Sequence, residues 1–103
     1  MAMEKFGKET HAFNYVYEKA LSANETVILE MPKVSPNKKC ISEIGWQADG
    51  SVALYGTLSS NPESVGTLWQ QILEYDDVNK TVTALKIVNS STACNVIVRV
   101  IFQ

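Results

Sequence analysis

The chain has 103 residues, 46% hydrophobic and 19% charged, with a formal net charge of −2. That length suits one domain, which buries roughly two-thirds of its unfolded surface and needs no metal or disulfide staple. The composition excludes a disordered segment, and nine scattered Lys and Arg exclude the basic stripe of a nucleic-acid binder or a membrane-surface protein.

The first ten residues mix charges with isolated apolar positions and lack the apolar core of a secretory signal. They are expected to form a flexible N-terminal arm, with the globular domain over 11–103. From Ala12 onward the leading signal is alternation of period two. In AFNYVYEKAL, Phe13, Tyr15 and Tyr17 fall on one side and Asn14, Val16 and Glu18 on the other. Aromatic and β-branched content favours a strand over the helix that Glu18–Leu21 would permit.

Glu25–Met31 alternates Val27, Leu29 and Met31 with Thr26, Ile28 and Glu30, and Pro32 ends the run. After the loop PKVSPNKK, Cys40–Ala48 alternates again, and Gly45 inside it suggests a bulge. Asp49-Gly50 then predicts a type I′ hairpin to a partner strand over Ser51–Leu58, because both central residues of that turn need positive φ. Ser59–Pro62 breaks the pattern.

Thr67–Leu73 fits one face of a helix or one face of a strand. Glu74–Asn79 is a polar turn, and Thr81–Val88 and Cys94–Phe102 are strands joined by a polar hairpin loop at Asn89–Thr92. The last strand is apolar on both faces except for Arg99, which places it in the middle of a sheet with Arg99 near a rim. About seven short strands with little helix predict an all-β fold, an antiparallel two-sheet sandwich of jelly-roll or immunoglobulin-like kind.

Chemistry is sparse. His11 is the single histidine and adjoins the arm, a poor position for the oriented imidazole of a nucleophilic triad. Cys40, Cys94 and His11 are too few and too scattered for a zinc site. Cys40 and Cys94 read as free, partly buried thiols, with a disulfide as the alternative. The acidic turn Glu74, Asp76, Asp77 and Asn79 lacks the spacing of a calcium loop. No phosphate-binding glycine loop occurs. Paired carboxylates are not visible to a sequence, so a small hydrolase survives only on that ground.

No catalytic, cofactor-binding or metal-binding residue is therefore expected, and no membrane span: Val96–Phe102 is too short and holds Arg99. The aromatic residues Trp46, Tyr55, Trp69 and Tyr75 remain as candidate interface or ligand contacts. They suit either a protein interface or a platform on which a carbohydrate stacks.

GSVALYGTLSSNPES, TLWQQI and VNKTVTALKIVNSSTACNVIVRVIF, from Gly50 to Phe102, form a strand, a Ser-Asn-Pro loop, a Trp-centred segment and a strand pair. This half of the chain resembles the small β-rich proteins of tailed-phage virions, the head-decoration (cement) and tail-associated sandwiches. It is similar, to a lesser degree, to carbohydrate-binding sandwich modules. The first resemblance implies a non-enzymatic homo-oligomer, often a trimer, on a capsid or tail. It would be made in the host cytoplasm and located in the virion, the alternative being a cytoplasmic protein. No motif matches position by position, so no family binding residue carries over.

Overall fold

The computed structural model describes residues 3–6, 8–11, 14–31, 41–72 and 82–102. They build an all-β sandwich of two sheets. Nine strands run in chain order: β1 (Glu4–Lys5), β2 (Lys8–His11), β3 (Asn14–Leu21), β4 (Thr26–Glu30), β5 (Ile41–Ala48), β6 (Val52–Thr57), β7 (Gln70–Ile72), β8 (Ala84–Asn89) and β9 (Cys94–Phe102). One sheet has the order β1-β4-β8-β6-β7 and the other β2-β3-β9-β5. Pairing is antiparallel except for the short parallel contact of β1 with β4. The segment open to both helix and strand contributes only the three-residue strand β7.

The alternation read from sequence becomes the two inner faces. Tyr15, Tyr17 and Leu21 of β3 pair across Val100, Val98 and Cys94 of β9, and Ile44 and Trp46 of β5 pair across Val100 and Val98. Opposite them, Val27 and Leu29 of β4 pair with Ile87 and Leu85 of β8, and Leu54 of β6 with Ile87. Partners in register share a face, so these sets meet between the sheets as one core. β9 lies in the middle of its sheet, as its two apolar faces predict. Arg99 is exposed on its outer face, opposite Val16 and Gly45.

Three sequence expectations are corrected. Asp49-Gly50 does not close a hairpin: β5 pairs with β9, whereas β6 pairs with β8 and β7, so the link crosses between sheets. No described glycine has positive φ, which a type I′ turn would require. Gly50 is needed for space instead, since a Cβ there would stand 2.8 Å from Cys94 Cβ. Asn89–Thr92 is likewise a crossing rather than a hairpin loop, because β8 and β9 lie in different sheets and Asn89 ends β8. The expected bulge in β5 falls between Ile41 and Glu43 rather than at Gly45.

Of the segment expected as an arm, the described residues form β1 and most of β2, two strands beyond the predicted seven. β1 lies along the edge of one sheet and β2 along the edge of the other. Between them Phe6 packs edge-to-face on Tyr15 and Tyr17, with centroids 6.5 and 6.3 Å away. Glu4 accepts hydrogen bonds from Tyr17 Oη (2.7 Å) and from Lys19 Nζ, tying the first sheet to the second. Lys19 also pairs with Glu25 at 3.2 Å.

Candidate functional site

The three crossings β3–β4, β5–β6 and β8–β9 all lie at one end of the sandwich. Asn89 ties two of them together, β3–β4 and β8–β9. Its side chain is buried and uses its whole hydrogen-bonding capacity: Nδ2 donates to the carbonyls of Ser22 (2.9 Å) and Thr92 (3.0 Å), while Oδ1 accepts from Ser90 N–H (2.9 Å) and the Cys94 thiol (3.3 Å). Asn24 donates its N–H to Ser90 O and holds φ at 60°, a conformation Asn tolerates. Ser90 N–H reaches Ser51 O, and Asp49 receives both the N–H (2.7 Å) and the side-chain amide (3.2 Å) of Asn95. Those donors, the Asn95 N–H first, hold the Asp49 carboxyl below its ordinary range.

Beside this knitted end lies an open hollow of about 630 Å³, lined by Trp46, Gln47, Ala48, Asp49, Gly50, Asn95 and Ile97. Trp46 is half-buried against the core, and its indole N–H is buried without an acceptor. Ile97 is 41% exposed.

β6 leads away from the knitted end into the loop 58–69, which returns through β7 beside it. Compact loops of this length with adjacent ends are frequently functional. This one is bonded to itself: Ser64 N–H to Asn61 O, Thr67 N–H to Ser64 O, Thr67 Oγ1 to Asn61 O, and Asn61 N–H to Ser59 Oγ. Thr83 fastens its base by donating its N–H to Thr57 O and its hydroxyl to Ser59 O. On this braced frame Val65 is fully exposed, Leu68 86% exposed and Leu58 58% exposed.

The four aromatic candidates do not form one platform. Tyr55 and Trp69 do come together, on the outer face of the five-stranded sheet, with the Lys86 ammonium 5.2 Å from one ring centroid and 4.9 Å from the other. Tyr55 stands directly across from Lys86 in the β6–β8 ladder. Trp46 belongs to the other sheet and faces inward. Tyr75 lies outside the described residues, as do Cys40 and the acidic turn at Glu74–Asn79.

Lys86, Leu58, Val65, Leu68 and Ile97 are the residues that sequence reasoning missed. Val65 and Leu68 carried a signal, being bare apolar residues within a run of Ser, Asn, Pro and Gly. Lys86 did not, because its neighbours depend on strand pairing.

Among the described residues there is no group of three or more His, Cys, Asp or Glu side chains able to hold a metal ion. His11 lies in β2. Cys94 is a free, buried thiol. Glu4 and Glu25 approach each other through Lys19, but both carboxyls sit below their ordinary range. For Glu4 the Lys19 and Tyr17 hydrogen bonds are the cause, and for Glu25 the Ser22 N–H and then Lys19. A general acid needs the opposite shift, so this pair acts as a tie between sheets. No helix among the described residues is long and apolar enough to cross a membrane. No protein-family model matches the chain, and neither does any curated protein or solved structure.

Proposed function

We propose that the chain is a non-enzymatic virion structural protein, a capsid-decoration or tail-associated component that works through protein–protein contacts. The observation that carries this is the loop 58–69, which holds Leu58, Val65 and Leu68 in solvent on a frame of its own hydrogen bonds. A chain that buries Leu29, Leu85, Ile87 and Val98 completely could equally well turn those side chains inward on a slack loop. Three large apolar side chains held outward on one twelve-residue loop suit an interaction surface. A 103-residue sandwich built around structural ties, with its acidic pair committed to Lys19, fits a protein whose work is attachment.

The test is immunogold labelling of tailed particles induced from the strain that carries the gene, using antibody raised against the purified protein. Regular labelling of heads or tails is expected, lost when Val65 and Leu68 are both replaced by Asp. Antigen found only as free protein, with every particle bare, overturns the reading.

A second reading, a carbohydrate- or receptor-binding module, draws on Tyr55 and Trp69, whose rings both lie within reach of the Lys86 ammonium. Two rings that share a cation suit a sugar face carrying polar groups. Fluorescence of a Trp46→Phe variant reports Trp69 alone. A glycan panel that leaves this signal unchanged removes the module.

A further inference from the structure

Among the described residues four strands stand at the margins of the two sheets: β1 and β7 of one, β2 and β5 of the other. An open margin is a template for another chain, and proteins guard it with short strands, bulges and charges. β1 has two residues and β7 three. β2 has four, including Lys8 and Glu9, and its register shifts between Glu9 and His11. β5 has eight, its ladder to β9 is unbroken from Glu43 to Ala48, and Ile44–Ala48 holds neither charge nor proline. It is the unguarded edge. We propose that β5 takes up an extended segment of a partner protein, which joins the sheet as the strand beyond it.

The phase of the backbone fits such an addition. Asp49 donates its N–H to Asn95 O, and in an antiparallel ladder residues bonded in this way recur at every second position. Gly45, Gln47 and Asp49 therefore direct their backbone groups to β9. Those of Ile44, Trp46 and Ala48 point the other way, where no strand lies among the described residues. The hollow follows the same edge. Trp46 and Ala48 belong to the inner face of the β5–β9 ladder and Gln47 and Ile97 to its outer face, so a space lined by all four wraps the rim of β5. N–H and C=O groups repeating at every second residue along that rim match an extended backbone, a repeat that neither a sugar nor a helix offers.

The side chains along the rim give the occupant its chemistry. On the inner side Trp46 and Ala48 present apolar surface, and the Trp46 indole N–H is a donor that the chain itself leaves without an acceptor. On the outer side Asp49 is exposed and is the charged group of the hollow. An added strand alternates as β5 does, and opposite charges facing each other across two strands stabilise the pair. The matching segment therefore sets apolar side chains beside Trp46 and Ala48 and basic ones beside Asp49. A second copy of β5 does not supply that pattern, because Ile41–Asp49 contains no Lys or Arg.

The probe is an eight-residue peptide of alternating valine and lysine, titrated into the isotope-labelled full chain with amide exchange followed by NMR. In the free chain Gly45 and Gln47 are expected to exchange slowly and Ile44, Trp46 and Ala48 fast. Bound peptide should slow those three by about tenfold or more and move the Trp46 indole N–H resonance. Two N-methylated forms of the peptide, one blocked at the valines and one at the lysines, keep its charge and side chains. A strand presents one edge to its neighbour, so one form should lose about tenfold or more in affinity and the other bind like the parent. Ala48→Pro removes an outward N–H where an edge tolerates proline, and should weaken binding by a similar factor. Should that variant not fold, the N-methylated pair decides alone. The inference is overturned if the peptide does not bind by about 1 mM, or if both N-methylated forms bind like the parent. A glutamate-for-lysine peptide that binds equally well overturns it too, as does protection of Ile44, Trp46 and Ala48 in the free chain. Such protection rising with chain concentration assigns the edge to a second copy. Loop 58–69 lies elsewhere, so bare particles in the labelling experiment sink the virion reading and leave this edge standing.

Discussion

The two ends of this sandwich solve the problem of turning the chain in opposite ways. At one end three short crossings fold their polar groups onto one another, with Asn89 satisfying four partners from a buried position. At the other, the twelve-residue loop 58–69 makes most of its hydrogen bonds within itself and turns apolar side chains outward. The first arrangement joins the sheets and governs stability. The second leaves the sheets alone and governs what the molecule can touch. A substitution should therefore read differently at each end, and that contrast can be broken.

The largest effect is expected for Asn89→Ala. It removes the buried amide that serves the carbonyls of Ser22 and Thr92, the Ser90 N–H and the Cys94 thiol, and loss of this hub costs about 1–3 kcal/mol. Chemical denaturation measures this, and a loss near zero would mean that the crossings hold without their hub. Next comes Gly50→Ala. Its new methyl must displace Cys94 Cβ, at a cost of about 1–3 kcal/mol by overpacking. A positive-φ requirement would instead leave Gly50→Asn better tolerated than Gly50→Ala, so comparing the two variants separates space from backbone conformation.

A smaller effect concerns pH at the N-terminal edge. The Glu4 carboxyl is depressed, so its contribution is present above the ordinary carboxylate range and is lost as pH falls through its lowered value. Lys19 is shifted upward by its bond to Glu4, so its contribution is complete below its ordinary value and disappears as pH rises through the raised one. Tyr17 is raised too, chiefly by burial and then by Glu4, and loses its contribution at high pH in the same sense. Stability attributable to this tie should form a plateau around neutrality that falls off on both sides. Glu4→Gln is expected to flatten the acid limb, and melting temperatures across pH check it.

The smallest effect is the most telling for the contrast. Val65→Ser at the outward loop should change stability by less than about 0.5 kcal/mol, as for an exposed side chain without contacts. A marked loss there would show the loop to be part of the fold.

These sites also show what a sequence can and cannot carry. Alternation assigns faces, and it placed Val27, Leu29 and Leu54 inward and β9 at mid-sheet, because the side-chain period is local. Partner choice is not local. Asp49-Gly50 between two alternating runs looks like a hairpin, yet the inward residues Ile44 of β5 and Leu54 of β6 belong to opposing sheets across the core. Only the wish of both strands for other neighbours, β9 and β8, decides this. The same holds for the aromatic candidates. Tyr55 and Trp69 meet because β8 sets Lys86 beside them, whereas Trp46 went to the other sheet. The hollow was invisible for that reason as well, since Ile97 and Gln47 become neighbours only through the β5–β9 ladder.

The position of β9 has a bearing on how the chain comes to be folded at all. It is the last strand in chain order, and it is the one that both β3 and β5 pair with. A ribosome-bound chain halted before residue 94 holds β3 and β5 with no ladder joining them. Until Phe102 clears the exit tunnel, then, the inward faces of two long strands await their partner. Assembly of that sheet is dominated by distant pairings, which makes it slow and leaves apolar faces open to wrong partners meanwhile.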